Sequence, residues 1–223
     1  MQTIQELIKE TLSGSMTSGV KRFQYLPYKM EVALHWIEEI GKEIEPSFKL
    51  NDECRDVYKG LIQYIHGDPE FDGVLEKGFM LIGPTGTGKT LAMKIIQTYR
   101  TIDDTWYLKD GKPCRMNFDI YHVNDIVSSF IETGFDGIEL YCKRYAACFD
   151  DIGTEVEQVK HYGNNLDVMS HIFSERYARQ LLTFGTSNFP VSVLEEKYDD
   201  RTISRMYTLF NFITLKGKDY RRL

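Results

Sequence analysis

The chain has 223 residues, 42% hydrophobic and 13% aromatic, enough to bury one ordinary core with an appendage and unlike a disordered chain. A formal net charge of −6 excludes a global positive field for nucleic acid, so any such contact rests on a local patch. No apolar run approaches the ~20 residues of a membrane span, and the opening MQTIQELIKE is charged where a secretion signal is apolar, so a cytoplasmic protein without membrane contact is expected.

Along the chain, Ile4, Leu7, Ile8 and Leu12 fall at helical spacing, and Ser13 to Gly19 reads as a flexible link. A second helix is expected over Met30 to Ile40, with Met30, Ala33, Leu34, Ile37 and Ile40 as its stripe. A third runs from the N-cap Asn51 to about His66, with Cys54, Val57, Tyr58, Leu61 and Ile65 on one face. These stripes read as packing faces. From Gly78 the pattern changes: Phe79 to Ile82 is a short apolar run, as in a strand buried on both faces of a parallel sheet. A glycine-rich loop follows, then a helix carrying Leu91, Met93, Ile95, Ile96 and Tyr99.

Thr101 to Arg115 reads as a long loop in which Trp106, Tyr107, Lys109, Lys112 and Arg115 mix aromatic and basic residues. It is either a single-strand DNA contact or an ordinary surface hairpin, with Asp103, Asp104 and Asp110 diluting the charge. Phe118 to Val123 reads as a strand, Asn124 as the cap of a helix with Ile126, Val127, Phe130 and Ile131, and Tyr145 to Phe149 as another strand. A helix over about Asn165 to Gln180 and a strand over Leu181 to Gly185 complete an alternation that predicts an α/β fold, a parallel sheet flanked by helices. Cys54, Cys114, Cys142 and Cys148 form no CxxC pair and the five histidines add no metal-ligand spacing, so neither a disulfide framework nor a zinc site is expected.

Gly83-Pro84-Thr85-Gly86-Thr87-Gly88-Lys89-Thr90 fits G-x-x-x-x-G-K-[ST] in full. Glycines let successive amides turn inward around an anion, and the helix that starts here points its positive end at the same place. Lys89 is expected to reach the β- and γ-phosphates of ATP and the Thr90 hydroxyl to ligate Mg²⁺, with Leu91 next along the helix also at the nucleotide. With glycine near 7% of average composition, the pattern arises by accident in roughly one chain in a hundred, so the reading as a mere turn is set aside.

Asp150 and Asp151 follow an apolar strand. In a P-loop sheet the first such acid holds Mg²⁺ and the second can orient or deprotonate the attacking water. Asn188 closes the next strand, where side chains converge on the ligand crevice; it either holds water at the γ-phosphate or merely begins the Asn-Phe-Pro turn. Arg201 and Arg205, four residues apart, share one face of any helix there. They can supply charge to phosphoryl transfer in a neighbouring molecule or form surface ion pairs, with Asp199 and Asp200 alongside.

Together GPTGTGKT, CFDDIGTE, IFSERYARQLLTFGTSNFP, DDRTISRM and the terminal KDYRRL resemble the DnaC/IstB group of AAA+ ATPases, which holds bacterial and phage helicase loaders and transposition helper ATPases. The resemblance runs from about Gly78 to Leu223. It implies a P-loop NTPase with an AAA+ core in which Asp150 and Asp151 are the Walker B pair, Asn188 is sensor 1, Arg205 is a finger reaching the adjacent subunit and Arg201 supports it. Arg221 resembles a sensor 2 arginine, or is a basic tail. ATP and Mg²⁺ would bind between subunits of a homo-oligomer. A DnaC-like helicase loader acting in DNA replication is expected, its partner a replicative helicase and single-stranded DNA a possible contact. The alternative is an IstB-like transposition helper with the same catalytic residues. A small-molecule kinase shares the loop but needs an acceptor pocket and lid arginines instead. No C-terminal helical lid is expected. Residues 1–45 are assigned to a small helical N-terminal region for partner binding, and 46–223 to the ATPase domain.

Overall fold

The computed structural model describes residues 25–102, 106–109, 112–115, 117–156, 158–161 and 164–217. The expected helix over 2–12, the link at 13–19 and Arg221 lie outside them. Two helices come first, α1 (Met30–Ile44) and α2 (Asp52–Ile65), the second capped by Asn51, whose side chain accepts from the Cys54 amide at 3.1 Å. Then follow β1 (Gly78–Ile82), α3 (Lys89–Ile102), a hairpin of β2 (Trp106–Lys109) and β3 (Lys112–Arg115), β4 (Asp119–His122), α4 (Val123–Thr133), α5 (Phe135–Lys143) and β5 (Ala146–Asp150). A second hairpin, β6 (Val159–His161) and β7 (Asn164–Leu166), leads into α6 (Val168–Ala178), β8 (Leu182–Ser187), α7 (Val191–Lys197), α8 (Asp200–Leu209) and β9 (Phe210–Thr214).

Five strands form one sheet in the order β4-β5-β8-β1-β9, every pair parallel. Parallel neighbours need crossovers, and the intervening helices cover both faces. Side-chain alternation along β1 shows the two layers: Phe79 and Leu81 join a cluster with Leu34, Ile37, Leu61 and Ile96, whereas Met80 and Ile82 join one with Ile126, Phe130 and Phe173. The stripe expected on α1 is buried at Ala33, Leu34, Ile37 and Ile40 and shares the first cluster with the apolar face of α3. Burial holds the free thiols of Cys54 and Cys148 above their ordinary range and pushes Cys142 to about 11.

Beyond the elements expected from the sequence, the sheet has an edge strand, β9, and helices α5 and α7 flank it. The helix expected from Asn165 begins instead at Val168, because Asp167 caps it, accepting from the Ser170 amide at 3.0 Å, while residues 164–166 pair with 159–161. The helix expected to be capped by Asn124 is capped by His122, which ends β4 and starts α4.

A fully buried guanidinium ties two elements of the core together. Arg176 of α6 is 0% exposed and sits 5.3 Å from the centre of the Phe149 ring. Its guanidinium donates to the carbonyls of Tyr141 (2.7 Å), Arg144 (2.9 Å) and Leu182 (2.7 Å) and to the Thr183 hydroxyl (2.9 Å). It thereby ties the end of α5 to β8. Arg176→Met keeps the volume but strands several acceptors, so urea unfolding should show a loss of about 3 kcal/mol. A loss below about 1 kcal/mol would mean that these bonds are replaced without cost.

Candidate functional site

Strand register brings the site together. His122 stands opposite Asp150, and Ile82 opposite Ser187, so the residues that follow β1, β4, β5 and β8 emerge along one edge of the sheet. After β1, Gly86 (φ 83°) and Gly88 (φ 85°) take left-handed conformations that side chains resist, and α3 starts immediately at Lys89. A cavity of about 620 Å³ opens over this loop, lined by Gly86, Lys89, Thr90, Asp150, Asp151 and Asn188 among others. Its size suits a small-molecule ligand.

The polar groups around it form one connected set. The Lys89 ammonium, 5% exposed, donates to the carbonyls of Gly83 (2.7 Å) and Pro84 (2.8 Å) and to Asn188 Oδ1 (2.7 Å). Asn188 Nδ2 donates in turn to Asp151 Oδ1 at 2.9 Å. A lysine only donates and a carboxylate only accepts, so the partners fix which way the amide faces. Thr90 Oγ1 lies 2.9 Å from Asp150 Oδ1, which also accepts from the Thr186 hydroxyl at 2.7 Å. Asp151 has φ 63°, unusual for a residue with a side chain, and its amide donates to Thr186 Oγ1 at 2.9 Å.

His122 was not singled out in the sequence. Its Nδ1 accepts from the Asn124 amide at 3.3 Å, so in the neutral ring the proton sits on Nε2, 3.5 Å from Asp151 Oδ2. Asp151 is thus approached by Asn188 on one oxygen and His122 on the other.

A hard divalent cation fits these donors. Mg²⁺ favours octahedral oxygen ligands at about 2.0–2.1 Å, whose adjacent members stand about 2.9 Å apart, and Thr90 Oγ1 and Asp150 Oδ1 have that separation. Among the described residues no group of three His, Cys, Asp or Glu could hold a metal ion.

A second cavity of about 510 Å³ adjoins the loop at Thr87 and Gly88; Phe48, Cys54, Tyr58, Leu91 and Leu215 give it an apolar lining. Leu91 lines both cavities. Arg201 and Arg205 line neither. They lie on α8, and the Arg205 guanidinium is 5.9 Å from the centre of the Tyr177 ring. Asp199 caps α8, accepting from the Thr202 amide, a bond that holds its carboxyl below the usual range.

A five-stranded parallel sheet whose first strand runs into a glycine-rich loop and helix defines a P-loop NTPase fold of the AAA+ type. In particular, the chain has the fold of the DnaC-like AAA+ proteins. It is similar to the crystal structure of DnaI (TM-score 0.57, 21% identity, 82% of this chain and 92% of that one) and to that of the DnaC helicase loader (TM-score 0.56, 15% identity, 78% and 96%). It is also similar to AMPPCP-bound DnaA from Aquifex aeolicus (TM-score 0.52, 17% identity, 77% and 49%). No protein-family model and no curated protein sequence matches the chain. Among the described residues no helix is long and apolar enough to cross a membrane.

Proposed function

We propose that this chain is a DnaC-like helicase loader: a cytoplasmic ATPase that binds Mg-ATP, engages a replicative helicase and assists its placement on single-stranded DNA. The observation that carries the reading is the connected set Lys89, Thr90, Asp150, Asp151 and Asn188 around one cavity, on a fold similar to those of DnaI and the DnaC helicase loader. The triphosphate lies along the loop, Lys89 meets its terminal phosphates and the apolar cavity beside Phe48 and Tyr58 takes the base. Thr90 and Asp150 would hold Mg²⁺, which would supply positive charge to the phosphate oxygens. Asp151 accepts the proton of the attacking water, while Asn188 and His122 fix its two oxygens. Arg205 acts on the site of the next subunit in a homo-oligomer, and residues 1–45 take part in partner binding.

Two measurements test this. Incubated with ATP and no other phosphate acceptor, the assembled protein should release ADP and phosphate, and Lys89→Ala should bring release to background. Strict dependence on an added metabolite would point to a kinase instead. Immobilised protein should then retain a hexameric replicative helicase; retention of a transposase in its place would transfer the same site to a transposition helper.

A further inference from the structure

Glu155 is a buried carboxylate that the chemistry above does not use. It is 3% exposed, yet it lies only four residues beyond Asp151. Its Oε2 accepts from the Gly153 amide at 2.8 Å and its Oε1 takes the hydroxyl of Tyr198, while its own carbonyl accepts from Lys197 Nζ at 2.8 Å. Tyr198 is 4% exposed and meets the Phe173 ring edge-on.

These bonds hold the turn that sets the direction of Asp151. On its near side the turn is bound to β8: the Asp151 amide donates to Thr186 Oγ1, the Ile152 amide to the Thr186 carbonyl at 2.8 Å, and Ser187 Oγ to the Ile152 carbonyl at 2.7 Å. Within it, the Asp151 carbonyl accepts from the Thr154 amide (3.1 Å) and hydroxyl (2.8 Å). The far side depends on Glu155. Asp151 (φ 63°) and Gly153 (φ 97°) are both left-handed, and a side chain at Gly153 would meet Phe189 Cδ2 at 2.8 Å. A left-handed aspartate persists only where its surroundings over-determine it. Without the bond to Glu155 the Gly153 amide loses its side-chain acceptor, and the turn can relax toward the commoner right-handed shape.

We infer that Glu155 and Tyr198 are positioning residues for ATP hydrolysis, clamping the turn after β5 so that the Asp151 carboxylate faces the cavity between Asn188 and His122. The inference rests on the ATPase reading above. It separates two roles that a buried carboxylate can have: a staple for the fold alone leaves the turnover of the folded protein as it was, whereas a clamp on Asp151 slows turnover while ATP affinity holds.

Tyr198→Phe removes one hydroxyl and leaves the packed ring. In single-turnover assays of the assembled protein, run well below its melting temperature, it should slow hydrolysis about tenfold with ATP affinity within about twofold, while the Glu155 oxygen left without its partner lowers the melting temperature by several degrees. In an Asp151→Asn background Tyr198→Phe should have no further effect on turnover, because the group being positioned is gone. Wild-type turnover in Tyr198→Phe, an equal slowing in the Asp151→Asn background, or a proportional fall in ATP affinity would each overturn the assignment. A wild-type protein that makes no ADP would overturn the ATPase reading itself, and this inference with it.

Discussion

An equimolar mixture of Lys89→Ala and Arg205→Ala proteins is expected to hydrolyse ATP although neither variant does so alone. The expectation follows from where Arg205 is. It does not line the cavity of its own chain, and among the described residues no carboxylate forms an ion pair with it. Its guanidinium stands over the Tyr177 ring, and Tyr177 is itself 44% exposed. An aromatic face holds a guanidinium through its plane and leaves the N–H edge for phosphate, which a carboxylate would occupy. On the proposed assembly that edge reaches the γ-phosphate bound by the next copy. An arginine supplied in this way is worth about 10³–10⁵ in turnover, so Arg205→Ala should lose at least about 10³ while still binding ATP. In a mixed head-to-tail ring, about one site in four joins an intact Lys89 to an intact neighbouring Arg205, and turnover should recover to about that fraction. Phosphate release over a titration of one variant into the other reads the result directly. A mixture as inactive as its components, or an Arg205→Ala protein as fast as the wild type, would remove the finger from Arg205.

What the sequence disclosed depended on how local the signal was. The loop from Gly83 to Thr90 is contiguous, and its glycines are needed by the backbone itself, two of them at positive φ. Asp150 is legible because a buried strand must end somewhere, and an acid pair directly after an apolar run is conspicuous. Asn188 was legible in the same way, one strand later. His122 was not, because nothing near it in the chain marks it; only the register of β4 on β5 sets it opposite Asp150. The apolar cavity is a further case. Phe48, Cys54 and Tyr58 look like ordinary packing residues, and they reach the loop only because α2 folds back beside Leu91 and Leu215. Strand β9 escaped notice because five residues with a half-exposed pattern, Phe210 to Thr214, give little alternation to read, although all five pair with β1. The hidden roles of Glu155 and Arg176 share one cause: charged residues read as solvated until the fold shows what surrounds them.

The remaining large effect belongs to Asp151→Asn. Two explanations compete for this residue, a base that takes a proton from water and a carboxylate that merely completes the polar set around Lys89. The substitution separates them because it is isosteric. An amide can still meet Asn188 Nδ2 through its oxygen, so the link at 2.9 Å can survive and the loop that binds nucleotide is left as it was. Lys89, Thr90 and Asp150 are unchanged, so Mg-ATP affinity should stay within about threefold. What the amide cannot do is accept a proton at neutral pH. Loss of a positioned base costs about 10²–10⁴ in rate, and the variant should hold ATP unhydrolysed for correspondingly longer. A filter-binding measurement with radiolabelled ATP, followed by chromatography of what the protein retained, distinguishes the cases. ATP recovered intact from the variant and ADP from the wild type supports the base. Retained ADP formed at the wild-type rate would reassign Asp151 to structure and leave water activation to another group at the same edge, with His122 the first to test.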